Sequence, residues 1–358
     1  MVRVLPRLMV CCGLLLILAS SVVALPANRR PSQFVHDRWT KEDGLPLDMV
    51  ADVTQTPDGY LWLATQQGVA RFDGREFQVF DALSEPAYPH KQAATVTARG
   101  DSLWVGGSNG VALFHDGLVK TWDRGETAPN GMVQRLLVCD ATTVYAGTTS
   151  GLAVLRDDRF ELVRPDDPVL GAEIRALARD DDGRLWVGSR GGLAVLEGDV
   201  WRLDDDGPWL NPEGVLGLER HPSGGMWVAT AIGLYRSTGQ TLAPVPMSGA
   251  EYPAGMIWSI DADPEGVLWI AAENRGFYRL QGRTLEAVTF DGRQLDGICS
   301  YQDAAGSLWV GAFGSGLHRF RAGPFECWGE REGLSGDAVR VVAPSRSGGV
   351  WVSTHGSG

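Results

Sequence analysis

A serine flanked by glycines is the first feature of this chain that could do chemistry. Gly106-Gly-Ser-Asn-Gly110 matches the G-x-S-x-G elbow of serine hydrolases, in which a strand-to-helix turn exposes the nucleophile. Here the motif lies between two predicted strands. The corresponding stretch 41 residues later, Gly147-Thr-Thr-Ser-Gly151, is also glycine-bounded. The motif is therefore interpreted as a repeated turn, and no catalytic residue is predicted.

Two acidic runs could bind a cation. Asp180-Asp-Asp-Gly183 and Asp204-Asp-Asp-Gly207 lack the spacing of a calcium loop, which ends in a distal glutamate. Aspartate before glycine is common in turns. We predict turns at both places, with no metal site and no cofactor.

The histidines do not recur at one position of the repeat described below. A metal or acid–base site in a ring of repeats needs side chains that converge at one end of the central channel. Only His90, in a predicted loop between repeats, is considered a functional candidate. The six histidines are His36, His90, His115, His221, His318 and His355.

An aromatic residue recurs every 40 to 42 residues and fixes the architecture. A period of this length predicts an array of equivalent supersecondary units. A glycine follows each aromatic six or seven residues later, as Gly68 follows the first and Gly110 the second. We interpret the aromatics as packing between neighbouring repeats rather than as a site. They are Trp62, Trp104, Tyr145, Trp186, Trp227, Trp269, Trp309 and Trp351.

One repeat is predicted to form four short strands. In the first copy these cover residues 49–54, 60–65, 69–72 and 76–80, with period-two alternation and Asp-Gly turns. Four antiparallel strands in about 41 residues describe a propeller blade. The predicted fold is all-β: a seven-bladed β-propeller of four-stranded antiparallel blades, plus the start of an eighth repeat.

The ends of the array suggest how the ring closes. Phe34-Val-His-Asp-Arg-Trp39 resembles Pro324-Phe-Glu-Cys-Trp328, so residues 34–39 are predicted to supply an outer strand to the last blade. We expect residues 33–328 to form the propeller. Residues 329–358 are expected to begin the first blade of a second propeller, as in a fragment of a longer protein.

The amino terminus predicts export. Arg3 and Arg7 precede an apolar stretch, and Val22-Val23-Ala24 suits signal cleavage, so residues 1–24 are predicted to be a signal peptide. A retained anchor is the weaker alternative, because the apolar run is short for a span. The predicted location is the periplasm.

Composition narrows the choice of partners. The net charge of −12 becomes −14 without the two signal arginines, which disfavours nucleic acid. Cys139, Cys299 and Cys327 have no metal-site spacing, and a single disulfide among them is left open.

The first copy carries a family resemblance. Glu42-Asp-Gly-Leu-Pro-Leu-Asp-Met-Val50, followed by Pro57-Asp-Gly-Tyr-Leu-Trp-Leu-Ala-Thr65, resembles the two-component regulator propeller repeat, found in periplasmic sensor domains of bacterial membrane signalling proteins. The resemblance covers residues 34–358. It implies that a transmembrane segment and an output kinase, diguanylate cyclase or DNA-binding domain lie beyond residue 358.

Ligand-binding residues are expected on the loops, because loops carry function on rigid scaffolds. The loops between strands two and three and those between blades are predicted to share one face. Aromatic and amide side chains there suit a small polar molecule or an oligosaccharide. The candidates are Gln67, Tyr88, His90, Asn109, Arg190, Trp209, Tyr252, Glu273, Asn274 and Arg275.

Three functions remain in view. The favoured hypothesis is a non-catalytic, exported input domain that senses a ligand for a transmembrane signalling protein. The alternatives are a secreted propeller lyase and a purely structural interaction module. The expected contact with the membrane is only through a segment beyond residue 358, and a homodimer is left open.

Overall fold

The computed structural model describes residues 25–26, 28–81, 83–84, 88, 91–115, 117–123, 127–140, 142–204, 213–238, 241–290, 292–325 and 328–355. The predicted signal peptide, His90, Trp209 and Cys327 lie outside the described residues. Among the described residues, no helix has the length and apolar character needed to cross a bilayer.

The first strand, β1 (Val35–Trp39), stands apart from the blade that follows it. Blades 1 to 4 then follow in order, and each is an antiparallel sheet of four consecutive strands. Blade 1 contains β2 (Val50–Gln55), β3 (Leu61–Thr65), β4 (Gly68–Phe72) and β5 (Phe77–Phe80). Blade 2 contains β6 (Ala93–Arg99), β7 (Ser102–Gly107), β8 (Gly110–Phe114) and β9 (Leu118–Asp123). Blade 3 contains β10 (Val133–Val138), β11 (Val144–Thr148), β12 (Gly151–Arg156) and β13 (Arg159–Leu162). Blade 4 contains β14 (Ile174–Arg179), β15 (Leu185–Ser189), β16 (Gly192–Glu197) and β17 (Val200–Asp204).

The remaining blades keep the plan with small additions. Blade 5 contains β18 (Val215–Arg220), β19 (Met226–Thr230), β20 (Leu234–Thr238) and β21 (Thr241–Pro244). A short strand, β22 (Ser248–Gly249), runs parallel to the outer strand of blade 6. Blade 6 contains β23 (Ile257–Ala262), β24 (Leu268–Ala272), β25 (Gly276–Gln281) and β26 (Thr284–Ala287). A small hairpin follows, made of β27 (Thr289–Phe290) and β28 (Arg293–Gln294). Blade 7 contains β29 (Gly297–Gln302), β30 (Leu308–Ala312) and β31 (Leu317–Arg321).

Strand β1 completes blade 7. It pairs antiparallel with β31, from Val35 opposite Arg321 to Trp39 opposite Leu317. The first strand of each blade is its inner strand, and it contacts the inner strands of both neighbouring blades. Because β29 of blade 7 contacts β2 of blade 1, the ring is closed. The predicted all-β, seven-bladed propeller is confirmed in the described residues, and the strands of blade 1 lie within one residue of their predicted bounds.

The start of the eighth repeat forms a separate hairpin of β32 (Val339–Pro344) and β33 (Val350–Thr354). Trp351 on this hairpin is 72% exposed, whereas the six tryptophans of the periodic series in the propeller are between 3% and 8% exposed. Tyr145, which stands in for a tryptophan in blade 3, is half-buried. The described residues also include three short 3₁₀ helices: Pro31–Gln33, Lys41–Asp43 and Glu330–Glu332.

The periodic glycines allow tight contact between strands. Gly110 has φ +118°, and a Cβ there would lie 2.0 Å from the carbonyl oxygen of Trp122. Gly316 has φ +89°, and its Cβ would lie 2.1 Å from the carbonyl oxygen of Trp39. Both the left-handed backbone and the close approach require glycine.

A residue six positions before the periodic tryptophan fixes the indole. Asp303 accepts a hydrogen bond from Trp309 Nε1 at 2.8 Å, and its other oxygen accepts from the backbone N–H groups of Ala305 and Ser307 in the preceding turn. Asp180 bonds Trp186 Nε1 in the same way at 2.7 Å. One carboxylate thus caps the turn and satisfies a buried indole N–H.

Blade 6 provides a natural comparison. Asp263 caps its turn through Glu265 and Val267, as Asp303 does in blade 7, but its second oxygen has no hydrogen-bond partner among the described residues. We expect Asp303→Ala to lower the free energy of unfolding by about 1–3 kcal/mol more than Asp263→Ala, because only the former strands an indole N–H. Urea unfolding of both variants measures the difference. Equal losses would show that the indole bond contributes nothing.

The seam between β1 and β31 contains a histidine pair. A hydrogen bond of 2.8 Å joins His36 Nε2 to His318 Nδ1, and Ser315 Oγ lies 2.9 Å from His318 Nε2. His318 is 2% exposed. Burial, reinforced by the neighbouring His36 and Arg38, lowers the pKa of His318 to about 3.

This pKa predicts acid sensitivity of the seam. Below the ordinary histidine value of 6.5, the unfolded chain binds a proton at His318 that the folded chain excludes. Relative to His318→Gln, the wild type should therefore lose up to about 1.4 kcal/mol of unfolding free energy per pH unit as the pH falls from 6.5 towards 4. Urea unfolding across this range checks the slope. The exposed His355 supplies the control, since His355→Gln should leave the slope as it is in the wild type.

Candidate functional site

The central channel of the propeller contains a cavity of about 570 Å³. All seven inner strands line it, namely β2, β6, β10, β14, β18, β23 and β29. A register shift consistent with a β-bulge occurs near the start of each of these strands, for example between Val133 and Arg135 and between Ile257 and Ser259. Bulges re-aim side chains, so residues near the start of each strand can face the channel.

The loop face lies at the start of the inner strands. The loop between strands two and three bonds the residue that precedes an inner strand: Arg190 N–H donates to Glu173 O, and Glu273 N–H donates to Met256 O, both at 2.9 Å. The two kinds of loop therefore meet on one face of the propeller. We call the opening of the cavity on this face the mouth. It is defined by Met132, Gln134, Glu173, Arg175, Met256, Trp258 and Phe313.

A polar network holds the mouth residues in place. Arg175 donates to Glu173 at 3.1 Å and to Glu213 at 2.8 Å, and Gln134 donates to Glu173 at 3.1 Å. The hydrogen bond from Arg175 lowers the pKa of Glu213. Thioether and aromatic side chains, among them Phe313 at 57% exposure, supply apolar surface beside this network. A mouth with ring faces and fixed hydrogen-bonding groups is typical of a site for a small polar ligand.

Arg135 crosses the channel below the mouth. Its guanidinium donates to Gln134 O at 2.8 Å and to Trp258 O, which belongs to blade 6, at 2.7 Å. Arg135 itself belongs to blade 3, so its side chain joins opposite sides of the ring. Its positive charge favours the ionised forms of Asp52 and Asp261, which lie deeper in the channel.

Three carboxyl groups lie deep in the channel, surrounded by protein, while part of each residue faces the cavity. Burial raises the pKa of Asp52. Burial, together with the charge of Asp52, raises the pKa of Asp261 to about 6. Burial and the charge of Asp261 raise the pKa of Glu219 to about 8. These three residues are called the channel floor.

The predicted loop residues lie around this site rather than in it. Gln67, Arg190, Glu273, Asn274 and Arg275 are exposed and Asn109 is partly exposed, and none of them lines the cavity. Two predicted aromatics are packed into the protein. Tyr88 is 2% exposed and contacts Phe114, and Tyr252 donates to the carbonyl of Thr230 at 2.8 Å. His90 and Trp209 lie outside the described residues.

Two of the three cysteines outside the predicted signal peptide lie among the described residues. Cys139 and Cys299 are free thiols, and burial raises the pKa of Cys299 well above its ordinary value. No group of three or more His, Cys, Asp or Glu side chains among the described residues is arranged to hold a metal ion.

Sequence reasoning missed the residues that line the channel. Asp52, Arg135 and Ser259 each stand ten positions before a residue of the aromatic series. Their types differ from blade to blade, and two are charged at a place where a buried strand predicts apolar residues. That variation at one position of the repeat is the signal that could have identified them.

The family model described as "Two component regulator propeller" matches residues 168–191, which include the first two strands of blade 4. This stretch of the chain is thus similar to the two component regulator propeller repeat. The resemblance predicted from the sequence is confirmed by this match.

Two further proteins are similar to parts of this chain. Histidine kinase P4 of Formosa agariphila is 32% identical over 68 residues, which is 19% of this chain and 5% of that protein. The extracellular domain of a hybrid two component system from B. thetaiotaomicron has a TM-score of 0.71 at 21% identity, covering 90% of this chain and 47% of that one. The propeller thus spans about half of that solved structure and a small part of the kinase.

An enzyme shares the architecture. A streptogramin B lyase structure has a TM-score of 0.64 at 13% identity, and covers 82% of this chain and 99% of that one. At this level of identity the likeness shows the fold alone.

The bridge formed by Arg135 is open to a direct test. We expect Arg135→Ala to lower the free energy of unfolding by about 2–4 kcal/mol, because two charge-assisted hydrogen bonds are lost and the nearby carboxyls lose their counter-charge. Urea unfolding at pH 7 measures the loss. Arg202→Ala is the control, since the Arg202–Glu197 pair is exposed and should contribute less than about 1 kcal/mol. Equal losses for the two variants would contradict a structural role for the bridge.

Proposed function

We propose that this propeller is the non-catalytic, ligand-sensing input domain of an exported bacterial signal-transduction protein. The observation that carries the proposal is the mouth, the opening of a cavity of about 570 Å³, with fixed polar groups and the exposed ring of Phe313. The repeat match and the likeness to an extracellular sensor domain support the signalling context. The predicted signal peptide supports a periplasmic location.

The chemistry of the mouth favours a small polar molecule or an oligosaccharide. Trp258 and Phe313 offer ring faces, and the amide of Gln134 with the charged groups of Glu173 and Arg175 offers donors and acceptors. Sugars present apolar faces and hydroxyl groups to such surfaces. Binding would be transmitted if the ligand fitted one arrangement of the blades better than another, and an output domain outside this chain would respond to that shift.

A lyase is the second function considered. Its basis is the structural likeness to virginiamycin B lyase, of which a histidine-to-alanine variant is described as catalytically inactive. The described residues that line the cavity of this propeller include no histidine. The mouth carries instead the hydrogen-bonding and apolar side chains described above. Consumption of a cyclic peptide or polysaccharide that is abolished by His90→Ala would favour the lyase.

The mouth can be tested with a matched pair of loop residues. Phe313 lines the cavity, while Ile232, at the corresponding loop of blade 5 and 60% exposed, does not. Oligosaccharides and small polar metabolites should first be screened for a rise in melting temperature of the purified protein. For any hit, we expect Phe313→Ala to weaken binding about five- to thirtyfold, the loss of one aromatic contact of about 1–2 kcal/mol. Calorimetric titration measures the change.

Ile232→Ala is the control substitution for this titration. Ile232→Ala should keep the wild-type affinity, because its side chain does not reach the cavity. Equal weakening by both substitutions would place the ligand elsewhere on the loop face. No stabilisation by any compound would count against a ligand-sensing role and favour a structural interaction module.

A further inference from the structure

Unlike several carboxylates of the propeller, those of the channel floor form no ion pair among the described residues. Asp180 pairs with Arg184, Asp37 with Arg319, and Glu213 with Arg175. None of Asp52, Glu219 and Asp261 forms an ion pair with a described residue. Arg135 donates hydrogen bonds to the backbone carbonyl groups of Gln134 and Trp258. Buried carboxyls without an ion-pair partner favour their neutral form.

Each of these carboxyls spans a seam between blades. Glu219 of blade 5 lies near the backbone N–H of Ala262 in blade 6, which favours the ionised form of the carboxyl and so lowers its pKa. Asp261 of blade 6 accepts from Ser300 Oγ of blade 7 at 2.5 Å. Asp52 of blade 1 accepts from Thr95 Oγ1 at 2.8 Å and from the backbone N–H of Val96 at 2.9 Å, both in blade 2. A change of charge on one carboxyl therefore acts directly on the contact between two blades.

The three groups also interact with one another. The charge of Asp52 acts on Asp261, and the charge of Asp261 acts on Glu219. When all three are ionised they repel across the channel, and protonation relieves that repulsion. The other titratable or charged groups that act on them are Arg220 on β18, Arg135 on β10 and the Cys299 thiol on β29.

We propose that the channel floor is a proton-binding site at which Glu219 and Asp261 take up protons as the surrounding medium becomes acidic, so that the propeller senses pH as well as a ligand. The proposal rests on the proposed sensing function and extends it. The protonated carboxyl groups keep their places at the seams, but they no longer repel and can donate as well as accept hydrogen bonds. The inner strands of blades 5, 6 and 7 then adopt closer contacts.

The proton site is tested by potentiometric titration of the purified protein. Between pH 9 and pH 7 the folded wild type should take up about one proton more than Glu219→Gln, since glutamine has the shape of the protonated side chain and cannot titrate. Glu161→Gln, which alters an exposed carboxylate on the outer strand of blade 3, should take up as many protons in this range as the wild type. Equal uptake by the wild type and Glu219→Gln would overturn the proposal.

A second variant tests the coupling between the two floor residues. Asp261→Asn removes the negative charge beside Glu219, so the midpoint of proton uptake by Glu219 should move to lower pH. A purely structural role for Asp261 predicts no such movement, and an unchanged midpoint would contradict the shared site.

Stability gives an independent readout. Because the folded state holds a proton on Glu219 that the unfolded state releases above its ordinary pKa of 4.5, the wild type should lose stability relative to Glu219→Gln as the pH rises from 4.5 to 8. The ratio of their unfolding equilibrium constants should change by up to about tenfold per pH unit. A constant ratio across this range would contradict proton binding in the folded channel.

The outcome separates this proposal from the proposed function. A ligand that binds at the mouth at fixed pH, combined with equal proton uptake by the wild type and Glu219→Gln, would leave ligand sensing in place and reject the proton site. Extra uptake by the wild type without any ligand would support the proton site and reject the mouth as a ligand site.

Discussion

The unpaired inner edge of every blade is the constraint on which this structure depends. Each sheet ends at the channel in a strand that has a partner on one side only, and its remaining backbone groups need hydrogen bonds from elsewhere. Side chains of other blades supply several of them: Asp52 accepts from Val96 N–H, and Arg99 donates to Val138 O at 2.8 Å. The polar side chains of the channel thus serve first to satisfy backbone groups at the unpaired edges of the inner strands. A binding surface can then develop from the same residues.

This constraint explains which parts of the molecule could be predicted. The number of blades and their strands follow from the aromatic period, because a large side chain must fill each interface between sheets and a glycine must allow each tight turn. The closing strand could be predicted because residues 34–39 resemble the end of the seventh repeat. These features are dictated by packing, which repeats from blade to blade.

The candidate site was harder to predict for the opposite reason. Loops were expected to carry it, yet Glu273 and Arg275 lie on the surface beside the mouth, and Tyr88 fills the core between blades 1 and 2. The channel residues lie on strands whose bulges cannot be read from alternation. Arg135 and Trp258 are 123 positions apart in the chain, so their contact depends on the curvature of the whole ring. The signal for the channel residues was the change of residue type from blade to blade at one position of the repeat, with Asp52 and Arg135 charged where an apolar residue is expected.

The closing seam sets the order in which the molecule can be completed. Strand β1 is synthesised before any blade, but its partner β31 follows about 280 residues later, as the separation of Asp37 and Arg319 shows. Until β31 is synthesised, β1 has no partner strand. Until β1 pairs with it, β31 leaves the outer edge of blade 7 open. Contacts this distant along the chain slow folding and expose unpaired strands to other chains. A chain that lacks residues 25–39 would therefore not merely lose one strand. It would carry a permanently unfinished sheet, and self-association through that edge would compete with closure of the ring.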